Sequence, residues 1–169
     1  MGLATTIFQK SWGWREGNTP KLIKGPDIFL QTIKLLKDDM PEIHVLLTGP
    51  ARGYVINGLK ALGIPYHHFF LYDYLDISKY YHALDLYLIT SREEGGPRAV
   101  LESMASGIPL VSTKVGQAQD LMSDGLNGWL SESEDYESLA ESILNIFDNN
   151  VSIEHIKNEA RCIAEKNTY

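Results

Sequence analysis

The sequence predicts an α/β fold with a mostly parallel sheet that is covered by helices on both faces. Three observations favour it: short apolar runs rich in branched residues, helical stretches between these runs, and connections of only a few residues. The 169 residues are 44% hydrophobic and 22% charged, which is typical of a globular chain with a substantial core. We therefore expect one domain, 1–169, with right-handed crossovers between its strands.

The predicted strands are apolar runs that end in polar or turn-forming residues, and they cover residues 4–8, 43–49, 67–72, 84–90, 108–113 and 128–131. Amphipathic stretches between them predict helices near residues 26–38, 52–62, 76–83, 98–106 and 117–122. A further helix should follow the last strand, with Ser131 or Ser133 as its N-cap. Its apolar stripe would be Leu139, Ile143, Ile146 and Phe147. A last helix is expected over 151–165.

Charge and cysteine usage exclude several classes of protein. The formal net charge of −7 argues against a nucleic-acid partner, because binding a phosphate backbone requires a broad basic face. The single cysteine, Cys162, excludes an internal disulfide and favours a reducing compartment, so we expect the cytoplasm. No apolar run reaches the roughly 18 residues of a membrane span, and the start of the chain lacks a secretion signal pattern.

The most informative stretch, SREEGGPRAVLESMASG at residues 91–107, directly follows a predicted strand. Open α/β sheets bind their ligands at this edge. Gly95 and Gly96 allow a sharp turn and a close approach to the backbone, and Pro97 suits the first turn of a helix. The amides of residues 98–100 would then point outward and form an anion site, which a diphosphate commonly occupies in this architecture.

Two carboxylates, Glu94 and Glu102, flank this predicted anion site. Carboxylates accept hydrogen bonds from vicinal hydroxyls, so the pair suits the two sugars that lie on either side of the diphosphate in a nucleotide sugar. Two plainer interpretations remain open. Glu102 lies four residues after Arg98 and could form a surface ion pair worth less than about 1 kcal/mol. Glu93 and Glu94 could be solvated loop acids.

Basic residues cluster near the start of an otherwise acidic chain, at Arg15, Lys21 and Lys24. They could bind a phosphate or form a solvated loop. In the segment LLTGPARG, residues 46–53, the glycine that follows the predicted strand is expected to begin a turn and not a phosphate loop, because Ala51 interrupts the glycine pattern.

Residues 94–102, Glu-Gly-Gly-Pro-Arg-Ala-Val-Leu-Glu, resemble the E-x7-E motif of GT-B glycosyltransferases. The following LESMASGIPLVSTKVGQAQDLMSDGLNGWL is similar to the rest of that signature in family 4 (group 1), whose members are retaining enzymes. KGPDIFLQTIKLL, IHVLLTG and LDISKYYHALDLYLITS resemble further segments of the same family. The resemblance covers most of the chain. It implies the carboxyl-terminal, donor-binding domain of a GT-B enzyme, a Rossmann-like three-layer α/β/α unit.

The resemblance also implies roles for individual residues. Glu94 would contact the donor sugar, and Glu102 would hold the ribose hydroxyls. Lys24 would bind the diphosphate together with Arg15, although the spacing to Lys24 is longer than the usual pattern, and Lys21 could share this task. The motif amides that would hold sugar hydroxyls and phosphate belong to Gly95, Gly96, Pro97, Arg98, Ala99 and Val100. The predicted catalytic residues are thus Glu94, Lys24 and Arg15, and neither a metal nor another cofactor is implied.

A complete GT-B enzyme has two such domains, and the resemblance covers only one of them. We expect the acceptor domain to be absent from this chain, to act in cis or in trans, and to mediate any peripheral association with a membrane. The predicted function is the nucleotide-sugar-binding half of a retaining transferase that uses a UDP- or GDP-sugar, and the isolated chain should be inactive. Two alternatives remain: a non-catalytic nucleotide-sugar-binding module, and half of a GT-B-type sugar-nucleotide epimerase.

Overall fold

The α/β architecture is present in the computed structural model, which describes residues 18–96, 98–148 and 152–167. The strands in these ranges are β1 (Val45–Thr48), β2 (Tyr66–Phe69), β3 (Tyr87–Ile89), β4 (Leu110–Thr113) and β5 (Trp129–Ser131). The helices there are α1 (Pro26–Leu36), α2 (Gly53–Leu62), α3 (Ile77–Tyr81), α4 (Arg98–Ala105), α5 (Gln117–Leu121), α6 (Tyr136–Phe147) and α7 (Ile153–Lys166). The predicted strand over 4–8 lies outside the described residues. Within the described ranges, no helix is both long and apolar enough to cross a membrane.

The described strands pair in parallel. β1 pairs with β2, with Leu46 opposite His67, and β4 lies between β3 and β5, where Val111 is the partner of both Leu88 and Trp129. Parallel strands in one sheet run in the same direction, so the carboxyl ends of β3, β4 and β5 meet at one edge. The segments that follow β3 and β4 are therefore neighbours, and they build the candidate site.

The central strands are buried on both faces, which explains why their sequences are continuous apolar runs. Leu88 of β3 and Val111 of β4 belong to a core cluster with residues of α1, α2 and α6. The adjacent Ile89 and Leu110 belong to a second cluster with residues of α3, α4, α5 and α7. Leu47 of β1 shares the first cluster with Leu88, so both groups of strands contribute to the same core. Helices thus cover both faces, as predicted.

Several predicted boundaries differ from the observed ones by one to three residues. Two boundaries differ by three residues: β3 begins at Tyr87 and not at residue 84, and β2 ends at Phe69 and not at residue 72. Phe70 is 56% exposed and Tyr72 is fully exposed, so the apolar run continues beyond the part of the chain that the sheet covers. An apolar run alone does not show which of its residues are covered, and this explains the error.

The N-cap predicted for α6 is wrong. Ser131 is the last residue of β5, and Asp135, not Ser133, caps the helix by accepting hydrogen bonds from the Ser138 amide at 2.9 Å and the Ser138 hydroxyl at 2.7 Å. These bonds, chiefly the one from the backbone amide, hold the pKa of Asp135 below its usual value. A carboxylate also interacts more favourably than a hydroxyl with the positive end of the helix dipole. The predicted apolar stripe is confirmed, with Phe147 half-buried and three residues fully buried: Leu139, Ile143 and Ile146.

Candidate functional site

The turn that carries Lys24 is fixed against the end of β3. Residues Leu22–Lys24 form a 3-10 turn, and Gly25 follows with a φ of 60°. A Cβ at Gly25 would lie 1.7 Å from the carbonyl oxygen of Thr90, so only glycine permits this close approach. The Thr90 hydroxyl donates a hydrogen bond of 2.8 Å to the Gly25 carbonyl. Two segments that are distant in sequence are thereby joined, and Lys24 lies beside the loop after β3.

Lys24 and Glu94 form an ion pair at this edge of the sheet. Lys24 Nζ lies 2.5 Å from Glu94 Oε1, and the two side chains are only 17% and 18% exposed. The Ser91 hydroxyl donates a second hydrogen bond, of 2.9 Å, to the same carboxylate oxygen. Glu94 is therefore not a solvated loop acid, whereas its neighbour Glu93 is exposed. The fold brings together a predicted phosphate-binding cation and a predicted sugar-binding carboxylate.

Glu102 accepts a hydrogen bond from a buried phenol. Tyr81 Oη donates to Glu102 Oε2 at 3.0 Å. Tyr81 is 1% exposed, and its ring packs on that of Tyr87 with 5.5 Å between the ring centroids. Burial raises the pKa of Tyr81 far above its usual value, so the phenol keeps its proton. Glu102 is half-buried and has this neutral partner, in contrast to the exposed surface pair with Arg98 that the sequence spacing also allowed.

The loop after β4 packs directly against the backbone of the Glu94 loop. Gly116 has a φ of 45°, and a Cβ there would lie 2.1 Å from the Glu94 carbonyl oxygen and 2.7 Å from that of Gly95. A Cβ at Gly95 would meet no atom within 4 Å in the described part of the chain, and one at Gly96 would lie at an ordinary 3.6 Å from Gln117 Oε1. Gly116 therefore supports the Glu94 loop from one side, while Gly95 stays exposed.

Helix α4 begins directly after this loop. The first amides of a helix have no acceptor within the helix, so the amides of residues 98–100 suit an anion. The side chain of Val100 is fully buried and that of Ala99 is half-buried, so these two residues can offer a ligand little more than their backbone, whereas Arg98 is exposed. Pro97 lies outside the described residues, and its role in the first turn stays a prediction.

The other predicted basic residues are less well placed or lie beyond the described ranges. Lys21 is exposed immediately before the 3-10 turn. Arg15 lies outside the described residues, so its contact with a diphosphate stays a prediction. Of the three predicted basic residues, Lys24 is thus the one that the described structure places beside Glu94.

Arg92 is a residue of this edge that sequence reasoning missed. Its guanidinium donates two hydrogen bonds to the Asp27 carboxylate, at 2.8 and 2.7 Å, and another to the Leu22 carbonyl. It also pairs with Glu134, which follows β5. The hydrogen bond from Arg92 is the main cause that lowers the pKa of Asp27. Arg92 thus ties the turn that carries Lys24 to the motif loop. The signal in the sequence that could have indicated its role was a single basic residue within the stretch SREE, residues 91–94.

Arg52 was also missed, although it lies in a segment that the sequence correctly predicts to be a turn. Gly49 and Ala51 have positive φ values, and Arg52 stands directly before α2. Its side chain is 3% exposed and donates to the Thr48 carbonyl. Burial lowers the pKa of Arg52 to about 10, so the guanidinium remains charged near neutral pH. The turn is therefore closed by a buried cation.

Comparison with known families identifies the chain. The sequence profile of the family described as glycosyl transferases group 1 matches residues 20–163, which include Lys24, Glu94 and Glu102. The chain belongs to this family. The match extends from just before the 3-10 turn into α7, so the whole edge described above lies within the part that defines a group 1 glycosyltransferase.

Several curated glycosyltransferases are similar to this group 1 chain. It is 29% identical over 109 residues to the lipopolysaccharide core biosynthesis mannosyltransferase LpsB of Rhizobium meliloti, covering 60% of this chain and 31% of that protein. It is 26% identical over 145 residues to an uncharacterized glycosyltransferase of Haemophilus influenzae, covering 84% and 41%. The D-inositol 3-phosphate glycosyltransferase of Mycobacterium marinum is 29% identical over 130 residues, covering 72% and 27%. The chain thus spans less than half the length of these relatives.

Solved structures confirm the fold. The C-terminal domain of the group 1 glycosyl transferase LpcC of Francisella tularensis superposes with a TM-score of 0.79 at 20% identity, covering 98% of this chain and 87% of that one. HepE of Anabaena, in complex with UDP and glucose, gives a TM-score of 0.78 at 22% identity, covering 98% and 44%. At these identities the likeness establishes the α/β architecture of GT-B glycosyltransferases.

Proposed function

We propose that this chain is the carboxyl-terminal, donor-binding half of a retaining family 4 glycosyltransferase. The complete enzyme would move a sugar from a nucleoside diphosphate sugar to an acceptor hydroxyl in the synthesis of a polysaccharide or glycoconjugate. In this proposal Glu94 contacts the transferred sugar, Glu102 contacts the ribose, and Lys24 and Arg15 bind the diphosphate. The acceptor half acts in cis or in trans, and no metal ion is required.

The pairing of Lys24 with Glu94 is the observation that carries this proposal. In a nucleotide sugar, the transferred sugar and the β-phosphate share one oxygen atom, so the groups that bind them must be neighbours. The 2.5 Å ion pair places a cation and a carboxylate together in this way. The ribose lies at the other end of the diphosphate and requires a separate acceptor. Glu102, whose carboxylate is held by Tyr81 and not by Lys24, meets that requirement.

Ligand binding would exchange the ion pair for contacts with the nucleotide sugar. Both side chains are mostly buried, so separating the two charges without replacement contacts would cost free energy. The diphosphate replaces Glu94 as the partner of Lys24, and sugar hydroxyls replace Lys24 as hydrogen-bond donors to Glu94. The amides at the start of α4 add a positive potential on the phosphate side. The same groups stabilise the charge that develops on the leaving diphosphate during transfer.

The relatives support the choice of ligand class. The HepE structure holds UDP and glucose, a TarM structure from S. aureus holds UDP, and LpsB is named as a mannosyltransferase. UDP-sugars are therefore the first donors to test, followed by GDP-sugars. We place the complete enzyme in the cytoplasm, because an exposed free thiol at Cys162 suits a reducing compartment.

Calorimetry with UDP, GDP, ADP and their sugars tests the proposal. We expect a dissociation constant of about 0.1–1 mM for the preferred nucleotide, because half of the cleft is contributed by another domain and 1 mM already corresponds to about 4 kcal/mol. Lys24→Ala should weaken nucleoside diphosphate binding about tenfold or more, since a charge-assisted contact is lost. Lys37→Ala, at an exposed lysine directly after α1, is the control and should bind as the unaltered chain does.

Two results would contradict the proposal. The first is the absence of binding for every nucleotide and nucleotide sugar at concentrations up to about 10 mM, tenfold above the weakest expected constant. The second is glycosyl transfer by the purified chain alone, because acceptor positioning and closure of the cleft come from the other half. Equal affinities for Lys24→Ala and Lys37→Ala would remove Lys24 from the site.

A further inference from the structure

The buried phenol of Tyr81 contacts a carboxylate to which the proposed function gives a ligand. We propose that Tyr81 is a positioning residue, which holds the carboxylate of Glu102 in the orientation that accepts the ribose hydroxyls of the bound nucleotide. This inference rests on the proposed function, in which Glu102 binds the ribose. It deepens that function by naming the group that orients the carboxylate.

The core of the protein fixes the position of the phenol. Tyr81 is the last residue of α3, and its side chain belongs to the apolar cluster beneath α4. It is 1% exposed, and Tyr87 of β3, 2% exposed, packs against its ring. Close-packed interiors give such a ring little freedom to move. The oxygen that donates to Glu102 Oε2 at 3.0 Å is therefore anchored by two elements other than the helix that carries Glu102.

Glu102 needs such an anchor, because a glutamate carboxylate is otherwise poorly oriented. The Glu102 side chain has several rotatable bonds and is only half-buried on α4. A carboxylate that binds two hydroxyls must give up its rotamer freedom, and that loss weakens binding. A fixed donor on one carboxylate oxygen removes part of this freedom before the ligand arrives. Preorganisation of this kind increases affinity without a new contact to the ligand.

The direction of the hydrogen bond is also fixed. Burial is the largest cause that raises the pKa of Tyr81, and the negative charge of Glu102 raises it further. The phenol therefore keeps its proton in any ordinary binding experiment, and it remains a donor to Glu102. A change of pH near neutrality cannot reverse the contact.

Selectivity for ribose distinguishes positioning from a purely structural role. If Tyr81 only stabilises the fold, loss of its hydroxyl should weaken the binding of all nucleotides alike. If Tyr81 orients Glu102, loss of its hydroxyl should weaken the binding only of nucleotides that carry ribose hydroxyls. A nucleoside diphosphate and its 2′,3′-dideoxy form share the base and the diphosphate, so the ratio of their affinities reports on the ribose contact alone.

The test is calorimetry on the unaltered chain, Tyr81→Phe, Glu102→Gln and the double variant. The probes are the diphosphate that binds most tightly among UDP, GDP and ADP, and its 2′,3′-dideoxy form. Tyr81→Phe should lower the affinity for the ribonucleotide about five- to tenfold and change that for the dideoxy form by less than about twofold. The double variant should bind no more weakly than Glu102→Gln, because Tyr81 acts through Glu102.

Tyr80→Phe is the matched control. It removes a hydroxyl from the same helix, and the Tyr80 ring packs on Phe69. This variant should bind both probes as the unaltered chain does. If Tyr81→Phe does not fold, Tyr81→Met replaces it, because methionine adapts to an irregular core space and also lacks the hydroxyl. The same selective loss of ribonucleotide binding is expected for that variant.

The outcomes separate this inference from the proposed function. Equal losses for the ribonucleotide and the dideoxy form, or additive effects of the two substitutions, would overturn the role of Tyr81 and leave the proposed function standing. If the unaltered chain binds none of UDP, GDP and ADP, the proposed function is overturned, and this inference with it. A loss confined to the ribonucleotide supports both.

Discussion

Glu94 and Glu102 lie in one stretch of the sequence, residues 91–107, but they depend on different parts of the molecule. Glu94 pairs with Lys24, a cation that a distant turn delivers to it, and the pair is partly exposed. Glu102 accepts a hydrogen bond from Tyr81, a neutral phenol within the core. In the proposed function, a ligand displaces the first partner, whereas the second can stay in place. The two carboxylates should therefore respond differently to changes in the fold and in the ligand.

The largest expected effect comes from breaking the support on the Glu94 side. Gly25→Ala would place a Cβ 1.7 Å from the Thr90 carbonyl oxygen, so the turn that carries Lys24 must move. We expect a loss of about 3 kcal/mol or more in the free energy of unfolding, because rigid backbone cannot relieve such a clash cheaply. Urea unfolding measures this loss.

Gly63→Ala is the matched control for that substitution. Gly63 also has a positive φ, of 70°, but a Cβ there meets no atom within 4 Å in the described ranges. Its replacement should lower the free energy of unfolding only by the strain of an alanine at positive φ, about 1–2 kcal/mol. Similar losses for the two variants would show that the contact between Gly25 and Thr90 does not set the position of the turn.

The two carboxylates themselves should differ in their response to replacement by glutamine. Glu102→Gln removes a charged acceptor from the ribose, so nucleoside diphosphate affinity should fall about ten- to a hundredfold, or about 1.4–2.7 kcal/mol. Glu94→Gln should leave the free diphosphate bound at least as tightly, because Lys24 loses its internal competitor. It should weaken the sugar-bearing donor instead. Calorimetry with the diphosphate and with the nucleotide sugar separates these effects.

Glu93→Gln controls for the change of charge in that experiment. Glu93 precedes Glu94 directly and is exposed, so its replacement removes the same charge from the same loop. Both ligands should bind to this variant as they bind to the unaltered chain. If all three variants show equal affinities, the two carboxylates do not have the roles proposed for them.

The sequence predicted those parts of the site that depend on local pattern. Apolar runs buried on both faces indicated a parallel sheet, and the position of Glu94 after a strand indicated an edge where ligands bind. The resemblance to a family added Lys24, which the structure places in an ion pair with Glu94. In each case, the residues that decide the feature lie in one segment or in one recognisable motif.

The missed contacts depend on the meeting of separate segments. Tyr81 is one of several tyrosines in a helical stretch, and only the packing of α3 against α4 selects it as the partner of Glu102. Arg92 contacts Asp27 across 65 positions of the chain, which no periodicity reveals. The prediction of the N-cap of α6 failed for a different reason. The stretch SESED, residues 131–135, offers several suitable capping residues, and the end of β5 decides among them.

The smallest expected effect concerns the clamp that holds the turn of Lys24, and it should depend on pH. The hydrogen bond from Arg92 lowers the pKa of Asp27 in the folded state. A carboxylate whose folded pKa is lowered adds stability above its unfolded pKa, near 4, and loses it as the pH falls through the folded value. Asp27→Asn should therefore reduce the free energy of unfolding at pH 7 by about 0.5–1 kcal/mol, because both side chains are partly exposed. The difference from the unaltered chain should shrink as the pH falls below about 4.

Urea unfolding from pH 3 to pH 7 measures this difference. Asp38→Asn, at an exposed carboxylate after α1, is the control. A difference that stays constant over this range would show that Asp27 acts through packing and not through its charge.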